Sequence, residues 1–358
     1  MHFYEASIIT TKDGMHCQVY SNEHPLNAIL VKPKYIPTDK IESGAFQYRF
    51  ISGRRMNRLN LWADKEKLKA YIGSFKKAYP EYIFKSSIHS EDRLIFSIPI
   101  DKIERIYFPK KGFSELMKIP KSHLDNHLKL ISEFGDFILK SGLSIKDIGI
   151  TYSALMGHHL SDLSDINIVI YGKENFWKLM EYLKNSHHPL LRWKTKEDWL
   201  EFRKKRNRSN ISDEGDFLKA MSRRNSEGFF GNTLFVIFGV ENENETWFKW
   251  GKEKYVSKGL VKVKGIVTDN FSSIVRPGFY GIKDSEIIDA SGEKKEIEKI
   301  VFYSRDYCML AKQGERIEAC GVLEEVFPDN EKSYYRVVVG YFDAYISDRR
   351  EKEYIKLI

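Results

Sequence analysis

Two side chains with the spacing for divalent-metal chemistry stand at the start of a short apolar run. Asp165 and Asn167 are two residues apart and lead into the run Ile168-Val169-Ile170, which predicts a buried strand. Alternate residues of a strand share a face, so both side chains would reach the same two ions of a phosphoryl-transfer site. Asn167 offers only a neutral oxygen. Asp165 is therefore the candidate catalytic carboxylate, and by itself it predicts at most weak metal binding.

A turn of small residues and a polar loop precede this strand. Ser153 and Gly157 lie in the turn and Ser164 lies in the loop. Backbone N–H groups in such turns approach phosphates closely, so these three residues are candidate nucleotide-binding residues. His158 and His159 fall in the same loop, where they either touch phosphate, replace a metal ligand or are simply exposed.

A third carboxylate is needed to complete a two-metal site, and the sequence offers no clear one. The best following strand has no acid between Leu234 and Phe238, and Glu241 and Glu243 come after its apolar run. Mg²⁺ or Mn²⁺ is therefore expected as a cofactor only if the site is active. The alternative is that this stretch is an ordinary turn and buried strand.

Basic residues are grouped in three parts of the chain, which has a formal net charge of +8. The three groups are Arg54, Arg55 and Arg58; Arg203, Lys204, Lys205, Arg206 and Arg208; and Arg223 and Arg224. Trp193, Trp199 and Phe202 flank the second group, and cations beside aromatic rings are typical of surfaces that bind nucleic acid. The alternative is a helix with a solvated basic end whose tryptophans enter the core. Separate groups favour an extended anionic partner, and Arg223 and Arg224 would contact a triphosphate or a nucleic-acid phosphate.

The order of predicted elements indicates an α+β or α/β multidomain protein. We expect an N-terminal α/β domain over residues 1–118, a central mixed sheet with helices over 119–257, and a small β-barrel over 258–358. About five strands in about 100 residues favour such a barrel, of which the OB-fold is one. One helix of the central region is predicted within 122–142, with Ser122 as its N-cap.

Composition places the chain among cytoplasmic proteins that do not enter a membrane. The 358 residues contain no apolar run of 18, and the N-terminus has no basic region followed by an apolar stretch. Cys17, Cys308 and Cys320 are widely spaced, so we expect buried, reduced thiols rather than disulfides or a zinc site.

The turn, spacer and Asp-x-Asn strand resemble the signature of the DNA polymerase β nucleotidyltransferase superfamily. Residues 23–39, 79–84, 98–109, 194–206 and 314–327 resemble one group within it, the predicted nucleotidyltransferases of archaea. The resemblance implies a nucleotidyltransferase-like central sheet. The sequence departs from the superfamily signature at two positions: Tyr152 stands where the turn glycine is expected, and Asn167 replaces the second acid.

These observations predict a nucleic-acid-binding protein on a nucleotidyltransferase scaffold whose catalysis is lost or weakened. RNA is favoured over DNA because many members of the superfamily act on RNA, which is an argument by analogy. The first alternative is an active metal-dependent enzyme that moves a nucleotidyl group from an NTP to RNA or protein. The second is a structural subunit of a ribonucleoprotein assembly such as the ribosome.

Overall fold

The computed structural model describes residues 1–161, 163–205, 213–287 and 295–358. Within these residues the chain forms three β-sheets and seven α-helices, a mixed α+β architecture. The sheets follow one another along the chain, and each is packed on a hydrophobic core of its own. Arg206, Arg208 and the Asp162 of the polar loop lie outside the described residues.

The N-terminal sheet has seven strands and one covering helix. The strands are β1 Ile8–Thr11, β2 His16–Val19, β3 Ala28–Pro37, β4 Tyr48–Ile51, β5 Arg54–Arg58, β6 Ser97–Pro99 and β7 Ile103–Tyr107. Their order is β4-β5-β3-β2-β1-β7, and β6 pairs with the other end of β3. Helix α1, Lys65–Ala78, begins at Asp64, whose carboxylate accepts from Lys67 N, and it packs Leu68, Ile72 and Phe75 on the sheet.

The central region has a five-stranded sheet and six helices. Its helices are α2 Pro109–Leu116, α3 Asn126–Leu139, α4 Tyr152–Met156, α5 Lys173–Asn185, α6 Lys196–Lys205 and α7 Glu214–Met221. Its strands are β8 Ile148–Ile150, β9 Ile166–Tyr171, β10 Leu191–Trp193, β11 Glu227–Phe230 and β12 Thr233–Val240. The strand order is β10-β11-β12-β9-β8, with β9 parallel to β12 and the other neighbours antiparallel.

The predicted N-cap of α3 was wrong. Residues 121–123 form a 3-10 turn, and the helix begins three residues later, where the Asp125 carboxylate accepts from Leu128 N. A carboxylate at this position satisfies a free N–H group and interacts favourably with the positive end of the helix dipole.

The C-terminal sheet has six strands. They are β13 Glu253–Asp269, β14 Gly278–Ile287, β15 Lys299–Phe302, β16 Arg316–Pro328, β17 Tyr334–Val339 and β18 Tyr354–Leu357. The long strand β13 pairs with both β14 and β16, so the pairings β13-β14-β15-β17-β16 return to β13 and form a ring. Because β13 begins at Glu253, this sheet starts slightly before the predicted boundary at residue 258.

The three cysteines are reduced and buried, as the sequence predicted. Cys17 lies in the N-terminal core, while Cys308 and Cys320 belong to the C-terminal part of the chain. Among the described residues, no helix has the length and apolar character needed to cross a membrane.

Candidate functional site

A cavity of about 620 Å³ lies where the three sheets meet. Lys32 and Lys34 of β3 line one side, and Asp165 and Asn167 line another. Arg276 and Arg305 come from the C-terminal part of the chain. All three regions of the chain therefore build one site, and it includes the two residues with which the sequence analysis began.

Strand β9 presents the predicted metal motif to this cavity. Asp165 comes directly before the strand and its side chain is exposed, while Asn167 is half-buried. The amide Nδ2 of Asn167 donates to the backbone oxygen of Asp165 at 3.0 Å. The protein atoms around the cavity desolvate the Asp165 carboxylate and raise its pKa, and the nearby cations Arg58 and Lys34 offset part of this rise. A local hydrogen bond therefore fixes the side chain of Asn167, and cations lie near Asp165.

Glu227 is a further carboxylate of the cavity that the sequence analysis did not identify. Val236 of β12 pairs with Asn167 of β9 on one side and with Glu227 of β11 on the other. Residues directly opposite each other in a sheet share a face, so Asn167 and Glu227 both point into the cavity. Glu227 precedes the apolar run of β12, in and after which a third acid was expected. The sequence signal that places its strand beside β12 is the glycine at position 231, where the chain turns with a φ of 60°.

Glu227 is not free to hold a divalent metal ion. Its carboxylate is buried and accepts from Lys194 Nζ at 2.6 Å and from Arg224 Nη2 at 2.7 Å. Burial by itself would raise the pKa of Glu227, but Arg224 and Lys194 outweigh it and lower the pKa below the ordinary value. Among the described residues no cluster of three or more potential metal ligands occurs. Asp165, Asn167 and Glu227 together therefore do not fit a two-metal site, because two cations already occupy the Glu227 carboxylate.

Tyr152 adopts a left-handed backbone conformation, at the position where the resemblance predicts a glycine. Its φ is 58°, in the left-handed region that favours glycine. Its ring lines the cavity, its hydroxyl donates to Gln18 Oε1 at 2.9 Å, and Lys34 Nζ lies 3.6 Å from the ring centroid. The tyrosine thus adds an aromatic wall at the point where a phosphate-binding turn would leave open space.

The predicted nucleotide-binding residues of the turn and loop lie beside the cavity rather than in its lining. Ser153 Oγ is 3.5 Å from Ser164 Oγ, which accepts from Leu160 N at 2.9 Å. Gly157 ends helix α4 with a φ of 74°. These residues shape the turn that carries Tyr152, and none of the three is among the residues that line the cavity.

The two loop histidines have protein partners. His159 Nε2 lies 2.8 Å from the Asp125 carboxylate at the start of α3. His158 packs edge-on against the ring of Tyr35, and burial lowers the pKa of His158 to about 4, with a further contribution from His16. His158 is therefore a neutral, packed side chain at physiological pH.

The structure divides the first predicted basic group. Arg54 and Arg55 are exposed on β5, where they pair with Asp39 and Glu42. Arg58, at the end of the same strand, lines the cavity and has no ion pair with any described residue. Only Arg58 of this group is placed to meet a ligand in the cavity.

In the second group, Lys205 pairs with Glu201 one helical turn away, and Lys204 is exposed. Arg203 lies 5.8 Å from the ring centroid of Phe217. Trp199 is buried, which agrees with the alternative that this helix sends its tryptophan into the core. Phe202, by contrast, lines the cavity.

The third group is also divided. Arg223 Nη1 donates to both carboxylate oxygens of Glu315, at 2.8 and 2.7 Å, and lies outside the cavity lining. Arg224 is buried, lines the cavity and pairs with Glu227. Arg223 is therefore paired outside the cavity, and Arg224, which shares Glu227 with Lys194, is the member of this group that belongs to the site.

A second pair of buried arginines was missed by the sequence analysis. Arg276 and Arg305 both reach the same oxygen of Glu5, at 3.3 and 2.7 Å. Glu5 is fully buried, Arg276 is 8% exposed, and both arginines line the cavity. Arg276 stacks on Tyr20 and Arg305 on Phe238, at 4.4 and 4.5 Å from the ring centroids. No local sequence signal marks these residues, because they lie about 300 positions from Glu5 in the chain.

The charges that line the cavity are predominantly positive. The lining cations are Lys32, Lys34, Arg58, Lys194, Arg224, Arg276 and Arg305, and the lining acids are Asp165, Glu227 and Asp306. Burial lowers the pKa of Lys34 well below its ordinary value, and the neighbouring Arg58 and Lys32 lower it further. A lysine responds in this way when it is held among other cations without a full complement of acids.

Comparison with known proteins gives one relative. The chain is 26% identical over 354 residues to an uncharacterized protein of Methanocaldococcus jannaschii, and the match covers 96% of this chain and 98% of that protein. No family model matches the sequence, and no solved structure matches it. The match therefore spans the segments that form all three sheets.

Proposed function

We propose that this protein binds nucleic acid, RNA in preference to DNA, by receiving nucleotides in the cavity between its three sheets. The observation that carries the proposal is the excess of cations over acids in a cavity that also has aromatic walls. Phosphates are attracted by the cations, and unstacked bases pack on aromatic rings such as Tyr152 and Phe202. RNA is preferred because the superfamily that the motif resembles includes many enzymes that act on RNA. Free RNA and RNA within a ribonucleoprotein such as the ribosome carry the same chemistry.

The scaffold is proposed to be nucleotidyltransferase-like, with its catalysis lost or weakened. Two features support this part of the proposal. Asp165 and Asn167 begin a central strand of a mixed sheet, and Glu227 occupies the same row of that sheet. The acidic set has nevertheless lost its metal-binding character, because Asn167 is neutral and Glu227 is held by Lys194 and Arg224.

The C-terminal sheet is proposed to be OB-like. Numbered from one within this sheet, its ring of strands runs 1-2-3-5-4 and returns to 1, with strands 3 and 5 parallel, which is the order found in OB-folds. The loop between the first two strands, residues 270–277, brings Arg276 to the cavity. OB-folds commonly bind oligonucleotides with this loop, which supports a nucleic-acid ligand.

Binding of a short single-stranded RNA, followed by fluorescence anisotropy at rising potassium chloride, tests the proposal. We expect the affinity to fall steeply with salt, since each phosphate contact contributes a slope of about −0.7 in log affinity against log salt. Arg58→Ala should weaken binding about tenfold and reduce the slope by one such contact. Arg54→Ala is the matched control on the same strand, because Arg54 is paired with Asp39 outside the cavity. Equal losses in the two variants would contradict binding in the cavity.

A second measurement tests the loss of catalysis. The protein is incubated with RNA, labelled NTPs and Mg²⁺ or Mn²⁺, and incorporation into RNA or into the protein itself is followed. We expect no incorporation above background. Robust transfer that disappears in Asp165→Ala would show instead an active nucleotidyltransferase.

A further inference from the structure

Arg276 and Arg305 present hydrogen-bond donors that nothing among the described residues accepts. Arg276 Nε and Arg305 Nε are buried and have no hydrogen-bond acceptor in the described part of the chain, and the contact of Arg276 Nη1 with Glu5 lacks the geometry of a hydrogen bond. Buried donors of charged groups are rarely left without an acceptor, because the loss of hydration is not recovered. Both arginines line the cavity, where a ligand would meet them.

The charges around this pair are also incomplete. Among the described residues, Glu5 is the carboxylate that pairs with the two guanidinium groups, so the pair retains a positive charge there. Because both groups reach the same Glu5 oxygen, they converge on one point rather than diverging into separate pockets. Arg224, whose Nε is likewise buried without an acceptor, adds a further donor to the same cavity.

We infer that this part of the cavity is a subsite for a phosphate monoester. A terminal phosphate has three oxygens that accept hydrogen bonds and carries close to two negative charges, which suits two guanidinium groups that share one carboxylate. A phosphodiester within a nucleic-acid chain offers only two such oxygens and a single negative charge. The dianion is the better match for a cavity in which cations outnumber acids.

The Glu5 carboxylate competes with phosphate for the two arginines of this subsite. It holds the two guanidinium groups together when no ligand is present and takes up donors that a phosphate would otherwise use. Two consequences follow: a variant without this negative charge should bind phosphate more tightly, and it should depend on phosphate for its stability.

The inference rests on the proposed function for the origin of the phosphate, which is taken to be the end of an RNA. The same chemistry is offered by a 5′-phosphate, a 3′-phosphate and a nucleoside monophosphate. The subsite itself requires only that a phosphate dianion enters the cavity, and it is therefore tested first with inorganic phosphate alone.

Thermal unfolding of the full chain in sodium phosphate, against sodium chloride of the same ionic strength, tests the subsite. We expect saturating phosphate to raise the Tm of the unmodified protein by about 2 °C or more. Arg276→Met and Arg305→Met should each abolish this rise. Arg223→Met is the matched control, because Arg223 pairs with Glu315 outside the cavity, and it should keep the full rise.

Glu5→Gln gives a result that a merely structural role would not produce. This variant should start from a lower Tm and gain more from phosphate than the unmodified protein gains, with an affinity about tenfold higher. If the arginine variants keep the phosphate effect, or if Glu5→Gln gains no more than the unmodified protein, the subsite is overturned.

A final arm separates the subsite from the proposed function. RNA of one sequence is compared with a 5′-phosphate, a 3′-phosphate or neither, and adenosine monophosphate is used as a competitor. Preference for one phosphorylated end, lost in Arg276→Met, identifies the source of the phosphate. RNA binding that ignores terminal phosphates, with no effect of inorganic phosphate, overturns the subsite and leaves the proposed function standing. A phosphate effect without any RNA binding supports the subsite and contradicts the proposed function.

Discussion

Two groups of buried arginines in this protein have opposite surroundings. The first is the cavity pair, Arg276 and Arg305 with Glu5. The second, which we call the interdomain cluster, joins Arg93, from the segment after α1, and Arg336 of β17 to Glu324 of β16 and to Asp343. The interdomain cluster lies away from the cavity, whereas both arginines of the first group line it.

The interdomain cluster is balanced in charge. Arg336 donates from Nε and Nη2 to Glu324 Oε2 at 3.0 and 2.9 Å, and Arg93 Nη2 lies 3.4 Å from the other oxygen, Oε1. Arg93 also pairs with Asp343 and Glu91, and Arg336 Nη1 lies 4.0 Å from Glu253, so each of the two arginines has more than one carboxylate partner. The cavity pair has two cations on one carboxylate. Burial alone therefore does not indicate that an arginine binds a ligand. An excess of positive charge does, when it occurs beside a cavity together with donors that have no acceptor.

The largest expected effect separates the two groups by stability. Arg336→Met should lower the free energy of unfolding by about 3–5 kcal/mol, because it leaves the fully buried Glu324 with a weaker set of partners. Arg276→Met should lower it much less, since Glu5 keeps Arg305 and the pair loses its excess charge. Urea unfolding of both variants measures this, and a larger loss in Arg276→Met would reverse the assignment of roles.

Glu227→Gln tests whether an acid that pairs with cations of the cavity limits the binding of RNA there. The change removes one of the three lining acids and frees Lys194 and Arg224, so RNA affinity should rise about threefold to tenfold at moderate salt. The free energy of unfolding should fall by about 1–3 kcal/mol, because two buried cations lose their shared partner. Anisotropy and urea titrations report the two quantities. Glu315→Gln, which affects Arg223 outside the cavity, should leave RNA affinity unchanged.

Acid should weaken the interdomain cluster through His89. Burial, together with the adjacent Arg336 and Arg93, lowers the pKa of His89 to about 3. The folded protein thus holds this histidine neutral, whereas the unfolded chain takes up a proton near pH 6.5. The contribution of neutral His89 is present above pH 6.5 and is lost as the pH falls from there towards 3. His89→Asn should flatten this part of the stability profile, and His187→Asn, at an exposed position, should not.

The smallest expected effect is a loss of ligand binding by the cavity as the pH rises. Because the pKa of Lys34 lies well below its ordinary value of 10.5, raising the pH through it removes a positive charge from the cavity. Phosphate and RNA binding should therefore weaken as the solution becomes alkaline. The stability of the ligand-free protein should rise over the same range, since the unfolded chain still binds that proton. Lys34→Met should abolish the pH dependence of binding. A dependence that persists in this variant would assign it to another group.

Much of the secondary structure was predictable because it depends on local patterns. The helix at 65–78, the apolar strand 166–171 and the β-rich C-terminal region follow from the spacing of their apolar residues. The burial of the three cysteines followed from their wide spacing and from the usual behaviour of free thiols. The start of α3 was placed wrongly because Ser122 and Asp125 are both good N-cap residues, and packing decided between them.

The candidate site was predictable only in part. Asp165 and Asn167 were identified by their spacing and Tyr152 by the resemblance to the nucleotidyltransferase signature, and all three line the cavity. Glu227 was missed because its relation to Asn167 passes through Val236 of a strand that lies between them in the sheet. Basic residues could be counted in the sequence, but their state could not. Arg54, Arg55 and Arg223 are paired with acids at the surface, and Arg58, three positions after Arg55, lies open in the cavity.

The sequence by itself determined the periodic elements, the motif at Asp165 and the positive charge of the chain. These depend on the type and spacing of neighbouring residues. Tertiary structure decided which charges remain available to a ligand, because a charge is neutralised by whatever the fold places within a few ångströms, at any distance along the chain. Glu5 and Arg305 are 300 positions apart and share a hydrogen bond of 2.7 Å. The cavity pair exists only because three sheets meet at that point.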